Sequence, residues 1–266
     1  MTNSQSIQIA NIHAAPIAYR DTGDGPAIVL IHGFCGSSEY WKHVIPAFSS
    51  SHRVIALDLR GHGQSPVGHE PSTMEALADD VAALLTYLHI DEAIVFGHSL
   101  GGYITLALVE RHPELVKRFS LIHSTSLPDS DEAKNKRIQG IASIQDKGIQ
   151  AFVDGLIPKL FAETNLTTMA EQVRAAIEIG HSTSPAGAMS SLEGMRIRPE
   201  RAHILRNNTI PILLIAGSED QIIPAERVFS VTGNHIQSVT INGVGHMSML
   251  EAPEQLISAM TSFMMD

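Results

Sequence analysis

The chain has 266 residues, enough to bury a substantial core as one large α/β domain or two smaller ones, and its 44% hydrophobic and 17% charged content is that of an ordinary soluble globular protein. With 28 Asp and Glu against 18 Lys and Arg, the formal charge of −10 repels phosphate backbones and anionic bilayers, so neither nucleic acid nor membrane is an expected partner. A single cysteine, Cys35, excludes an intramolecular disulfide; no secretion signal is read in residues 1–15 and no window reaches the ~18 uninterrupted apolar residues of a membrane span, so a cytoplasmic protein is expected.

Two alternating segments, 6–12 and 17–21, predict an antiparallel hairpin that ends in the turn Gly23-Asp24-Gly25-Pro26. Solid apolar runs follow at 28–31, 54–57, 93–96, 119–122, 212–216 and 238–241, and runs without alternation predict strands buried on both faces. Between them, Leu77, Val81, Leu84, Leu85 and Leu88 recur at helical spacing within 72–88, with Ser72 and Glu75 reading as a capping box. Strand and helix in alternation predict an α/β fold: a mostly parallel sheet with helices on both faces. The alternation breaks over 124–203, where helical patterns at 131–144, 150–161, 166–179 and near Met189 replace strands. The expected organisation is a core of 1–123 and 204–266 with a helical insertion at 124–203, which by position is a lid over a site or a packing layer.

The chemistry centres on Gly97-His98-Ser99-Leu100-Gly101, placed between the run Ala93-Ile94-Val95-Phe96 and a helix-like stretch from Tyr103. A serine in a tight strand-to-helix turn is exposed and strained, and glycines at 97 and 101 avoid collision across the bend, so Ser99 is a candidate nucleophile. A serine hydroxyl needs a base and a group to orient that base. Of 14 histidines, His32, His43, His52, His69 and His123 read as surface or strand-end bystanders, whereas His246 follows the last strand at its carboxyl end, where open parallel sheets assemble their sites. Asp220, just past the run 212–216, is the candidate acid, with Glu219 as its competitor. The backbone N–H of Leu100 and that of Phe34, or alternatively Cys35, are the expected oxyanion donors. Candidate substrate-pocket walls are Phe34, Trp41, Phe152, Leu156, Phe161 and Met247, each equally suited to the core. No paired-histidine helix motif or cysteine cluster occurs, so neither metal nor cofactor is expected, and Cys35 reads as an inert small hydrophobe.

With these residues in hand, the chain resembles the α/β-hydrolase superfamily over nearly its whole length. The resemblance rests on His32-Gly33-Phe34, on Asp58 through Ser65, on the Ser99 turn, on Gly217-Ser218-Glu219-Asp220 and on Gly245-His246, in the family's order. It implies an eight-stranded, mostly parallel sheet with a helical cap inserted after the sixth strand. It also implies that Asp58 and Arg60 brace loops. Haloalkane dehalogenases and epoxide hydrolases carry aspartate where this chain has Ser99, and the ending from Gly245 to Pro253 is similar to small esterases and enol-lactone hydrolases. The expected activity is hydrolysis of a small carboxylic ester or lactone through an acyl-enzyme on Ser99. Two alternatives stay open: a carbon–carbon hydrolase of ring-fission products, against which Met247 counts because those enzymes often have tryptophan there, and a small-molecule receptor with slow hydrolysis. A perhydrolase side activity is compatible with the same triad.

Overall fold

The most apolar runs occupy the middle of one eight-stranded sheet in the computed structural model, which describes residues 6–12, 15–68 and 71–265. The strands are β1 (Gln8–Asn11), β2 (Pro16–Thr22), β3 (Ala27–Ile31), β4 (Arg53–Leu57), β5 (Ala93–His98), β6 (Val116–Ile122), β7 (Ile212–Gly217) and β8 (Ile236–Ile241), in the order β1-β2-β4-β3-β5-β6-β7-β8. β1 and β2 form the antiparallel hairpin, β2 pairs antiparallel with β4, and every pairing from β4 to β8 is parallel. β3, β5 and β7 are buried along their whole length. β8 departs from the expected fully buried run: it is the edge strand, and Ser238 and Thr240 face solvent. His69 lies outside the described residues.

The helices are α1 (Ile45–Phe48), α2 (Met74–Tyr87), α3 (Leu100–Arg111), α4 (Asp131–Leu156), α5 (Asn165–Thr168), α6 (Ala170–His181), α7 (Pro185–Ile197), α8 (Ala202–Asn207), α9 (Ala225–Val228), α10 (Ser248–Glu251) and α11 (Pro253–Met265). The N-cap of α2 is Thr73, whose hydroxyl accepts the Ala76 N–H at 3.1 Å, rather than Ser72. Ser72 instead donates its own N–H to the Ser190 hydroxyl at 2.8 Å, and Glu75 is drawn to Arg201, so tertiary partners override the local capping box. Between β6 and β7 every described helix or strand is helical. The gap foreseen between 144 and 150 is a break inside α4 at Gly148, whose φ of 82° no continuing helix adopts. α4 packs against α7, and α8 packs on α3. No helix of the described residues is long and apolar enough to cross a membrane.

Loops at the carboxyl ends of the central strands are tied by buried polar groups. Asp58 accepts the N–H groups of Ser38 at 2.7 Å and Gln64 at 2.9 Å, and Arg60 reaches Asp80 of α2 through Nε at 2.6 Å in a fully buried ion pair. His32 Nδ1 donates to the Gly33 carbonyl at 2.7 Å while Nε2 accepts the Leu59 N–H at 2.9 Å, so the ring joins the ends of β3 and β4 in its neutral form. Burial lowers the His32 pKa to about 4, and burial together with the nearby His32 lowers that of His62 to about 3. Below pH 6.5 the unfolded chain takes up protons that the native rings refuse, so stability falls with falling pH until about 4 for His32. Urea denaturation at pH 7.5 and 4.5 should show a loss of roughly 2–3 kcal/mol from His32 alone; an unchanged midpoint would contradict a neutral, buried ring.

Candidate active site

The turn between β5 and α3 holds a non-glycine residue at positive φ beside the cavity. Ser99 has φ 50° and ψ −111°, a left-handed conformation that costs a non-glycine residue on the order of 1–3 kcal/mol. It is held there from both sides: the Ser99 N–H donates to the Ile122 carbonyl of β6 at 2.9 Å, and the Ser99 carbonyl accepts the Ser124 hydroxyl at 2.7 Å. The flanking glycines are steric necessities, since a Cβ at Gly97 would overlap the Gly101 carbonyl and one at Gly101 would overlap the Ile31 carbonyl of β3. The second collision is with a neighbouring strand, not across the bend. Leu100 opens α3, so its N–H is among the groups with no intrahelical acceptor, at the positive end of the helix.

Two further strand ends bring up a histidine and a carboxylate. His246 Nδ1 lies 2.8 Å from Asp220 Oδ2, both side chains buried, which assigns the ring proton to Nδ1 and the lone pair to Nε2. The other Asp220 oxygen accepts the N–H groups of Ile222 at 2.8 Å and Ile223 at 3.0 Å. Burial pushes the Asp220 carboxyl up, but its electrostatic interaction with His246 and the contacts from His123 and His246 outweigh it and hold it well below the usual carboxylate range. Glu219 turns away, with its Oε2 3.4 Å from the Thr164 hydroxyl at the exposed surface.

Two histidines surround this pair. His98 Nε2 donates to the His246 carbonyl at 2.8 Å. His123, read from the sequence as a bystander, lies with Nδ1 3.4 Å from Asp220 Oδ2 and Nε2 2.8 Å from the Ser248 hydroxyl. Burial lowers the pKa of both, well below the ordinary value for His98. The available signal for His123 was its place just after β6, the same strand-end argument that selected His246. His123, Asp220 and His246 also form the one group among the described residues whose donor atoms, within 4.8 Å of one another, could hold a metal ion. The 2.8 Å Nδ1–Oδ2 spacing is that of a direct N–H···O bond, which needs the proton a metal would displace.

Ser99 and His246 share the wall of one cavity of about 240 Å³, together with Phe34, Leu156 and Leu160. Of the other expected walls, none reaches it. Trp41 is fully buried in the core, Met247 is buried beneath the His246 loop, and Phe161 is buried where the chain leaves Leu160. Phe152 stands behind Phe34, the ring centroids 6.1 Å apart and edge to face. Trp41, Phe161 and Met247 are buried because covering a large apolar side chain is favourable wherever space allows, whereas Phe152 is half-buried against the core. The rest of the wall is more polar than expected: Thr125, Asp129, Ser130, Arg137, Arg198 and Arg227 contribute to it. Cys35 is buried away from this wall and burial pushes its thiol up, as for an inert side chain. In the turn closed by the Gly36 N–H to the Gly33 carbonyl at 3.0 Å, Phe34 and not Cys35 borders the cavity.

The family described as the α/β hydrolase fold matches residues 26–253. The chain belongs to the α/β-hydrolase family. This α/β hydrolase is 31% identical over 246 residues to the dihydrolipoyllysine-residue acetyltransferase component of the acetoin cleaving system of Pseudomonas putida, an alignment that covers 90% of this chain and only 64% of that longer protein. It is 25% identical over 250 residues to the 2-(acetamidomethylene)succinate hydrolase of Mesorhizobium japonicum, covering 92% and 90% of the two chains. Among solved structures it is similar to a thermophilic esterase from Thermogutta terrifontis with malate bound, at TM-score 0.92, 29% identity and coverage of 97% and 98%. The enol-lactonase of Burkholderia xenovorans superposes at TM-score 0.89 over 97% and 100% of the chains; at 23% identity that likeness shows the fold alone.

The loop of the α/β hydrolase that carries His246 is built around Glu251, a residue the sequence reading passed over. Its Oε1 accepts the N–H groups of Gly245 at 3.0 Å and Met247 at 3.1 Å, and its Oε2 those of Ala162 at 2.9 Å and the Asn165 amide at 2.8 Å. One buried carboxylate thus joins the histidine loop to the helical segment between β6 and β7. The His246 N–H reaches the same segment, donating to the Leu160 carbonyl at 2.6 Å. Replacing Glu251 by Gln turns two acceptors into an acceptor and a donor facing N–H groups, and should cost about 1–3 kcal/mol in urea denaturation. A loss under about 0.5 kcal/mol, the range of ordinary surface substitutions, would show that the loop stands without it.

Proposed function

We propose that this protein is a serine hydrolase that cleaves a small carboxylic ester or lactone through an acyl-enzyme on Ser99. The observation that carries the reading is the 2.8 Å bond between buried Asp220 and His246, whose ring shares a cavity with a serine in a strained turn. Support also comes from the family and from the esterase and hydrolase among its relatives.

In this reading Ser99 Oγ attacks the carbonyl carbon while His246 Nε2 takes its proton. Asp220 holds the imidazole in the required tautomer and stabilises the imidazolium that forms. Negative charge grows on the carbonyl oxygen, where the N–H groups of Leu100 and Phe34 receive it. Phe34 is preferred to Cys35 as donor because it borders the cavity. Collapse expels the alkoxide, which takes the proton back from His246; from a lactone the alcohol stays tethered to the acyl group. Water, activated by the same nitrogen, then frees Ser99. Residues 124–203 act as a cap: Asp129, Arg137, Leu156 and Met195 from this stretch border the cavity and limit what enters it.

Steady-state hydrolysis of a short-chain 4-nitrophenyl ester series tests the assignment. Ser99→Ala should lower kcat by at least about 10³-fold and Asp220→Asn by about 10³–10⁴-fold, while Glu219→Gln changes it less than about twofold. Multiple turnovers that survive a chelator are expected; a rate unchanged in Ser99→Ala, or a single burst with no turnover, would sink the proposal.

A further inference from the structure

The cavity beside Ser99 holds more positive charge than a neutral ester requires. Arg137 from α4, Arg198 after α7 and Arg227 of α9 all border it, and Asp129 is the carboxylate among the charged groups on the same wall. Asp129 is shared: its Oδ2 accepts Arg137 Nε at 3.1 Å and its Oδ1 accepts Arg198 Nη1 at 2.6 Å. Among the described residues Arg227 Nη2 donates to a neutral group, the Pro128 carbonyl, at 3.0 Å. Three guanidinium groups against one carboxylate leave two formal positive charges, in a chain whose overall formal charge is −10. The ionised Asp220 behind His246 still leaves one.

The three arginines divide the work. Arg198 is committed to the protein, with further bonds to the Met195 carbonyl at 2.8 Å and the Leu127 carbonyl at 3.2 Å, and its plane lies 3.9 Å over the Tyr103 ring. It fixes Asp129, which in turn steers Arg137. Arg137 and Arg227 each use one N–H in the bonds described and are half-buried on the wall, so most of each planar fork is left for a guest. Removing two cations from water with one carboxylate already shared between Arg137 and Arg198 is unfavourable, and the guanidinium fork matches a carboxylate in shape as well as charge. We infer that the substrate carries a carboxylate besides its scissile ester or lactone bond, received by Arg137 and Arg227 against the fixed Arg198–Asp129 pair. The inference rests on the hydrolase reading of Ser99 and narrows its substrate class. A cavity of about 240 Å³ suits the half-ester of a short dicarboxylic acid or a lactone bearing one acid group.

The test compares monoethyl succinate, glutarate and adipate with the neutral ethyl esters of equal acyl length, following acid release by the full-length protein. At the best acyl length the half-ester should have at least about a tenfold higher kcat/KM than its neutral match. In Arg137→Gln and Arg227→Gln that ratio should fall at least about fivefold, through KM, and Arg→Lys at either position should restore part of it. A ratio within about twofold of unity in the wild type, or one unmoved in both Gln variants, overturns the inference while Ser99-dependent hydrolysis of the neutral ester keeps the hydrolase reading. Calorimetric binding of the same pairs to Ser99→Ala decides the matter independently of turnover. Binding at least about tenfold tighter for the half-ester, lost in the double variant with Arg227→Gln, supports the site, and equal binding refutes it even if no ester is hydrolysed.

Discussion

The backbone of Ser99 is the constraint from which the rest of the site follows. Its left-handed conformation is unfavourable in isolation and persists because three neighbouring strands specify it together. The register pairs Ile31 of β3 with Gly97 and Ile122 of β6 with His98, which puts the Ile31 carbonyl against Gly101 and the Ile122 carbonyl on the Ser99 N–H. A slip of one residue in either pairing would remove the contact that pairing supplies and turn the side chains to the opposite face. The same placement sets Ser99 at the mouth of α3, so strand register, turn strain and helix field act on one atom.

On the other side of the cavity, electrostatics do the corresponding work. One carboxylate, Asp220, contacts His123 and His246, against whose rings His98 packs in turn. Burial keeps His98 and His123 neutral, so they serve as hydrogen-bonding props and leave the carboxylate's field to His246. Glu251 works differently, as an acceptor for main-chain N–H groups on two segments that meet at the cavity. The pocket is therefore bounded by a rigid sheet edge on one side and by helices tied to it through a buried carboxylate on the other.

The chain's own pattern carried the fold well because its signals are local. Apolar runs without alternation mark strands covered on both faces, although their order along the chain is not their order in the sheet, where β4 lies between β2 and β3. Ser99, Asp220 and His246 were legible as residues just past strand ends, where the structure brings Asp220 to His246 and puts His246 on one cavity with Ser99. The errors were of another kind. β8 reads as buried but is the edge, and α2 takes Thr73 rather than Ser72 as its cap because Ser72 is held by Ser190 of α7.

The amino-acid sequence by itself determined the family resemblance, the position of the strands along the chain and the short segments that bear Ser99, Asp220 and His246, because each depends on neighbours within a few residues. Tertiary structure alone decided what surrounds them. Trp41, Phe152, Phe161 and Met247 are as apolar as Leu156, yet only Leu156 borders the cavity, since burial depends on where distant elements leave space. Arg137, Arg198 and Arg227 are ordinary surface residues in one dimension; α4, α7 and α9 bring them to one wall with Asp129, where removal from water gives their charge its strength.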